Sequence, residues 1–203
     1  MRTDRYRTLG SAGTGQLREK ASRFIGIAFH MPDEDSFKQR MQEFMKEHHG
    51  ARHFCYAWVL GEAGDRQRAN DAGEPAGTAG KPIFNRIRSL DLTYCGVIVV
   101  RYFGGTLLGK AGLVQAYGEA AQLALLDASV TERIVRERVR ITCSYASLEA
   151  IRNTVIQYEG EVLDSAFSDT VIVSAALPRS VVDHLLHEWS TQGIPAQRDD
   201  QVK

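Results

Sequence analysis

No stretch of this sequence approaches the roughly 18 consecutive apolar residues that a membrane-spanning helix requires, and the first twenty residues carry arginines where a secretory leader would be apolar. Neither a membrane-embedded nor an exported protein is expected. Cysteine is scarce. Cys55, Cys95 and Cys143 are an odd number, widely spaced, with no C-x-x-C pair, which argues against a disulfide framework and a structural zinc site and reads as three reduced thiols in the cytoplasm. Net charge is missing too: 25 Lys and Arg balance 25 Asp and Glu, so the molecule as a whole has no attraction for nucleic acid or a membrane surface. What is present is ordinary globular composition, 43% hydrophobic in 203 residues, enough for one large domain or two small ones that fold unaided.

The charge is unevenly placed. Gly80 to Gln115 holds Lys81, Arg86, Arg88, Arg101 and Lys110 against Asp91 alone, a local balance of +4, whereas Ile141 to the end holds four cations and nine anions. Residues 1–16 are rich in Arg, Thr, Ser and Gly without apolar periodicity and are expected to form a flexible tail. Apolar patterning then predicts a strand over Ser22–Phe29, a helix opened by Pro32 and Asp33 with the stripe Phe37, Met41, Phe44, Met45, and a strand over His53–Leu60. Three glycines and a proline in Asn70–Gly80 force a shaped loop. A helix from Pro82 to Leu90, a doubly covered strand around Val97-Ile98-Val99-Val100 and a helix over Lys110–Asp127 follow. Past Ser129 the pattern restarts as strand, helix, strand, strand, helix, strand between Ile134 and Gln197, the order of a ferredoxin-like βαββαβ unit.

Two glycine loops attract attention. Gly104-Gly105-Thr106-Leu107-Leu108-Gly109-Lys110-Ala111 lies between a strand and a helix and approaches the phosphate loop G-x-x-x-x-G-K-[ST]. Ala111 stands where the magnesium-binding hydroxyl belongs, so a hydrolytic nucleotide site is not expected; a glycine loop flanked by Arg101 and Lys110 suits an anion. The other reading is that its glycines only turn the chain. In the loop Asp71–Pro82, Asp71 and Glu74 stand three apart in a glycine-proline frame, where they either bind a cation or act as a base, or Asp71 braces turn amides and Glu74 pairs with an arginine; the second is favoured. His53 and Cys55 share one strand face, an arrangement ill suited to a nucleophilic pair, so Cys55 is assigned to the core and His53 to a cleft. His184 with His187, and His48 with His49, are read as helix-surface residues.

Lys20-Ala21-Ser22-Arg23-Phe24-Ile25, Ala51-Arg52-His53-Phe54-Cys55-Tyr56-Ala57, the run Asp71 to Pro82, and Val100-Arg101-Tyr102-Phe103-Gly104-Gly105 continuing through Leu108-Gly109 to Gly112–Tyr117 resemble the IMPACT/YigZ family over about residues 17 to 200. The chain departs from the pattern at Ala72, where a second aspartate is usual, at Lys110 and Ala111 before Gly112, and at Gln115, where an arginine is usual. The resemblance implies an α+β chain of two domains: residues 17–131, a left-handed βαβ domain like the second domain of small-subunit ribosomal protein five, and residues 132–203, a ferredoxin-like domain similar to the last domain of elongation factor G. It implies a link to translational control, since eukaryotic members oppose activation of the amino-acid-starvation kinase.

The reading that follows is a non-enzymatic cytoplasmic protein that binds RNA or the ribosome. Lys81, Arg86, Arg88, Arg101 and Lys110 are its expected phosphate contacts, Gly104 and Gly105 its loop, and Tyr102 or Phe103 its stacking ring. No metal or other cofactor is expected, and a translation-related protein is a second kind of partner. The alternative is a small enzyme or ligand-binding protein with an anionic or phosphorylated substrate in a cleft around His53, Asp71 and Glu74.

Overall fold

Near-continuous burial along Ser22–Phe29 and continuous burial along Cys95–Arg101 already indicate a sheet covered on both sides. The computed structural model, which describes residues 4–199, shows how that cover is built. In chain order the elements are β1 (Arg5–Leu9), β2 (Gly13–Glu19), β3 (Ser22–His30), α1 (Glu34–Glu47), β4 (His53–Leu60), β5 (Arg66–Asn70), α2 (Gly80–Ser89), β6 (Cys95–Tyr102), α3 (Gly109–Asp127), β7 (Val130–Ile134), β8 (Arg136–Cys143), a short 3₁₀ turn (Tyr145–Ser147), α4 (Leu148–Gln157), β9 (Glu161–Phe167), β10 (Val171–Pro178), α5 (Arg179–Thr191) and β11 (Ala196–Arg198). The chain divides into two compact units, one from Tyr6 to Arg133, the other from Ile134 onward together with the residues up to Arg5.

The first unit is an antiparallel sheet in the order β2-β3-β6-β4-β5, with β1 and β7 paired in a ribbon of their own. Because strand side chains alternate, Val97 and Val99 of β6 join the core under α2 and α3, with Phe24, Cys55, Ile83 and Tyr117, while Ile98 and Val100 join Phe29, Phe37, Phe44 and Trp58 on the opposite face. Helix α1 starts where Asp33 Oδ1 accepts from Ser36 N at 2.7 Å, the expected acidic cap. Phe37 and Phe44 of its stripe are buried, but Met45 is 47% exposed.

Helix α3 lies almost on the backbone of the sheet. Side chains added at Gly13, Gly15 and Gly26 would strike Ala128 N, Ala124 N and Ala120 O at 2.3, 2.5 and 2.8 Å, so only glycine strands against an alanine helix face permit the approach. This is also why residues 1–16 do not form the expected flexible tail. Residues 1–3 lie outside the described residues, but Arg5–Leu9 is a strand and Gly13–Glu19 pairs with β3 along its whole length.

The second unit has the strand order β11-β8-β10-β9, all antiparallel, with the strand, helix, strand, strand, helix, strand sequence of the ferredoxin-like arrangement. Its core gathers Val139, Ile141, Ile151, Val155, Val173, Leu177, Leu185 and Trp189 on the side covered by α4 and α5. No helix among the described residues is long and apolar enough to cross a membrane.

Candidate functional site

Cross-strand register places Arg101 of β6 directly between Phe24 of β3 and His53 of β4, so all three point to the same sheet face. The loop 71–80 closes over them. Asp71 accepts from the amides of Gly77, Ala79 and Gly80 at 2.9, 2.9 and 2.8 Å, one carboxylate holding the loop and the start of α2 together. Burial pushes its pKa up, but those three amides more than offset it and leave the carboxyl below its ordinary value. Glu74, its side chain only 5% exposed, meets the Arg101 guanidinium at 3.0 Å and accepts from Tyr117 Oη at 2.8 Å. Both carboxylates thus brace the fold, as the favoured sequence reading had it.

Cys55 belongs to the core. Its thiol donates to the Asp71 carbonyl at 3.0 Å, and burial pushes its pKa up to about 12, so no thiolate nucleophile forms near neutrality. His53 is 2.8 Å from the Ala72 carbonyl through Nδ1. A carbonyl only accepts, so Nδ1 carries the proton and Nε2 of the neutral ring keeps its lone pair. Burial likewise raises the Tyr117 phenol pKa.

Arg101 corrects the expected phosphate surface. It is 7% exposed and committed: Nη1 to Glu74, Nη2 to Ser22 Oγ at 3.3 Å, with the guanidinium over the rings of Phe103 and Phe24 at 5.1 and 5.6 Å. It is not a free cation for a polyanion. Its Nε, however, is buried with no hydrogen-bond partner, and Arg101 forms part of a cavity of about 460 Å³ lined also by Arg52, His53, Tyr102, Phe103 and Leu107. Arg52 is exposed; Phe103 and Leu107 are 54% and 81% exposed at the rim. Tyr102 donates to or accepts from His48 Nδ1 at 3.0 Å and carries Arg23 over its ring at 4.6 Å, which covers one of the faces expected to stack.

The remaining cations lie on α2 and α3. Lys81 and Lys110 are exposed in the first turns of α2 and α3. Arg86 lies beside α3 at Gly118, while Arg88 reaches toward Gly64 in the β4–β5 turn. Gly104 has a packing reason: a side chain there would strike the Ala21 carbonyl at 1.8 Å, and Gly105 takes φ +89. Sequence reasoning missed Arg52, Leu107, Ser22 and Tyr117. Arg52 precedes His53 in a quoted motif and was within reach; the others depend on contacts across the sheet that no local pattern carries. Among the described residues no three or more His, Cys, Asp or Glu are grouped to hold a metal.

Comparison with known proteins places these residues in a family. Residues 20–125 match the Impact N-terminal domain. IMPACT family member YigZ of Escherichia coli (strain K12) is 36% identical over 165 residues, 80% of this chain and 81% of its own length. IMPACT family member YvyE of Bacillus subtilis (strain 168) is 31% identical over 187 residues, 92% and 86% of the two chains. A solved structure described as that of a hypothetical protein superposes with a TM-score of 0.68 at 28% identity, covering 98% of this chain and all of that one.

Proposed function

This chain belongs to the IMPACT family, and on that premise we propose that it is a non-enzymatic cytoplasmic protein that binds RNA or the ribosome and takes part in regulating translation. The reading includes two domains, residues 17–131 and 132–203, the first a left-handed βαβ fold like the second domain of small-subunit ribosomal protein five and the second like the last domain of elongation factor G. The single observation that carries the binding claim is the make-up of the 460 Å³ cleft: the exposed Arg52 beside the exposed ring of Phe103, with Arg101 and His53 in its wall and His53 Nε2 as an acceptor. A cation for phosphate next to a ring for an unstacked base is what a single-stranded nucleic acid requires.

The contact set is therefore revised toward Arg52, His53 and Phe103, with Lys81, Arg86, Arg88 and Lys110 as peripheral cations, and a translation-related protein partner is retained. Fluorescence anisotropy with a labelled single-stranded RNA tests it. Phe103→Ala is expected to weaken binding by roughly 1–3 kcal/mol, the range for one stacked base, and Arg52→Gln to lower its salt dependence. Binding unaltered by both would remove the cleft from the interface.

A further inference from the structure

Strand β8 carries Arg136, Arg138 and Arg140 at alternate positions, all exposed, while Val139 and Ile141 between and beyond them are buried under the helices. The three arginines therefore stand in one row on the helix-free face of the sheet. β8 is an inner strand, so the row is flanked on both sides. Pro178, Ala176 and Ser174 of β10 stand opposite Arg136, Arg138 and Arg140, and Gln197 of β11 is the other partner of Arg140. No acid stands opposite the row on β10. Just past β11, Asp199 follows in register opposite Arg138, its amide donating to the Arg138 carbonyl at 2.9 Å and its Oδ2 lying 3.1 Å from Arg140 Nη2, while Glu161 and Asp164 stand one strand further out on β9 and the Glu159 carboxylate pairs with Arg5. Arg136 donates to the Glu159 carbonyl at 3.1 Å, and Arg138 has no side-chain partner among the described residues. The row runs into a cavity of about 510 Å³ whose lining includes Arg140, Thr142, Ser190, Ile194 and Gln197.

We propose that this arginine row and its adjoining cavity form a track for single-stranded RNA, the row holding successive phosphates and the cavity one nucleoside. The inference rests on the reading of the protein as an RNA binder but uses none of the cleft residues. Alternate residues of a strand are about 7 Å apart, comparable with successive phosphates on an extended single strand; in a duplex the phosphates wind away from a straight row. Guanidinium forks match phosphate oxygens, and Thr142, Ser190 and Gln197 offer hydroxyl and amide groups where a base or ribose would sit. Asp199 exchanges for phosphate on Arg140, a half-exposed pair. The acidic total of the chain after Ile141 conceals this face, because the arginines lie just before that residue.

The test is anisotropy of a labelled oligouridylate with the full chain between about 50 and 200 mM salt. Substituting Arg136→Gln, Arg138→Gln and Arg140→Gln together is expected to lower the slope of log K against log salt by about 2, three contacts at about 0.7 each, and to weaken binding at least about tenfold at the low-salt end. The triple lysine variant, which keeps the charge and guards against loss of folding, is expected to retain most of the slope. An unchanged slope in the glutamine variant overturns the track while leaving the cleft intact. An oligoglutamate that competes at the row as well as RNA overturns it in favour of an acidic protein. Wild-type protein that binds no RNA at all overturns the parent reading as well.

Discussion

Replacing Glu74 with glutamine would leave the Arg101 guanidinium, its side chain 8% exposed, without a counter-charge in the interior. Breaking such a pair from one side costs about 3–5 kcal/mol, whereas replacing both members by apolar residues is often near neutral. Glu74→Gln is thus expected to lose at least about 3 kcal/mol in denaturant unfolding, and Glu74→Leu with Arg101→Met together to lose less than either alone. Ala72 sits at φ +46, in the left-handed region that disfavours a β-carbon by roughly 1–2 kcal/mol; Ala72→Gly is expected to raise stability by up to about 1 kcal/mol in the same measurement. The buried thiol gives a pH signature. Cys55 releases its proton at about 12 when folded against an ordinary 9.0, and Cys95 and Tyr117 shift the same way through burial. Raised folded values contribute stability that is complete below about pH 9 and lost as pH rises toward 12. The unfolding midpoint should fall across that window, with Cys55 unreactive to alkylating reagent until the chain unfolds. Asp71 acts in the opposite direction, its lowered pKa contributing stability that is lost as acid protonates it.

At the scale of elements, α3 and the glycine strands form the least forgiving contact. Gly15→Val would drive a branched side chain into Ala124, where even a β-carbon comes to 2.5 Å; overpacking of this kind costs about 1–3 kcal/mol or more, measurable as a lowered melting temperature. The same contact limits what the sequence reveals. Apolar periodicity located β3, α1, β4, β6, α3 and the whole βαββαβ series to within a few residues, because each buries a regular stripe. It passed over β2, whose inward positions are glycines, and β5, whose five residues are all exposed on an edge. In the site, His53 in a cleft, Cys55 in the core and the bracing roles of Asp71 and Glu74 were legible from residue type and turn chemistry. Arg101 was not, because its exposure depends on a loop that folds over it from thirty residues earlier, and a cation in a strand reads alike whether it faces solvent or a buried acid.

For the whole molecule, zero net charge means that no long-range field draws it to a polyanion, so the proposed binding rests on local groups, the cleft of the first unit and the arginine row of the second. Such binding is steep in salt, since each phosphate contact releases counterions. Co-sedimentation of the purified chain with ribosomes at about 50 and 200 mM salt, for wild type and for the Arg52→Gln, Phe103→Ala double variant, is the most direct test of the central claim. The account requires wild type to pellet with ribosomes at the lower salt and leave them at the higher, and the double variant to remain largely in the supernatant at both. Wild-type protein that stays in the supernatant at the lower salt, or a double variant that pellets as wild type does, would contradict it.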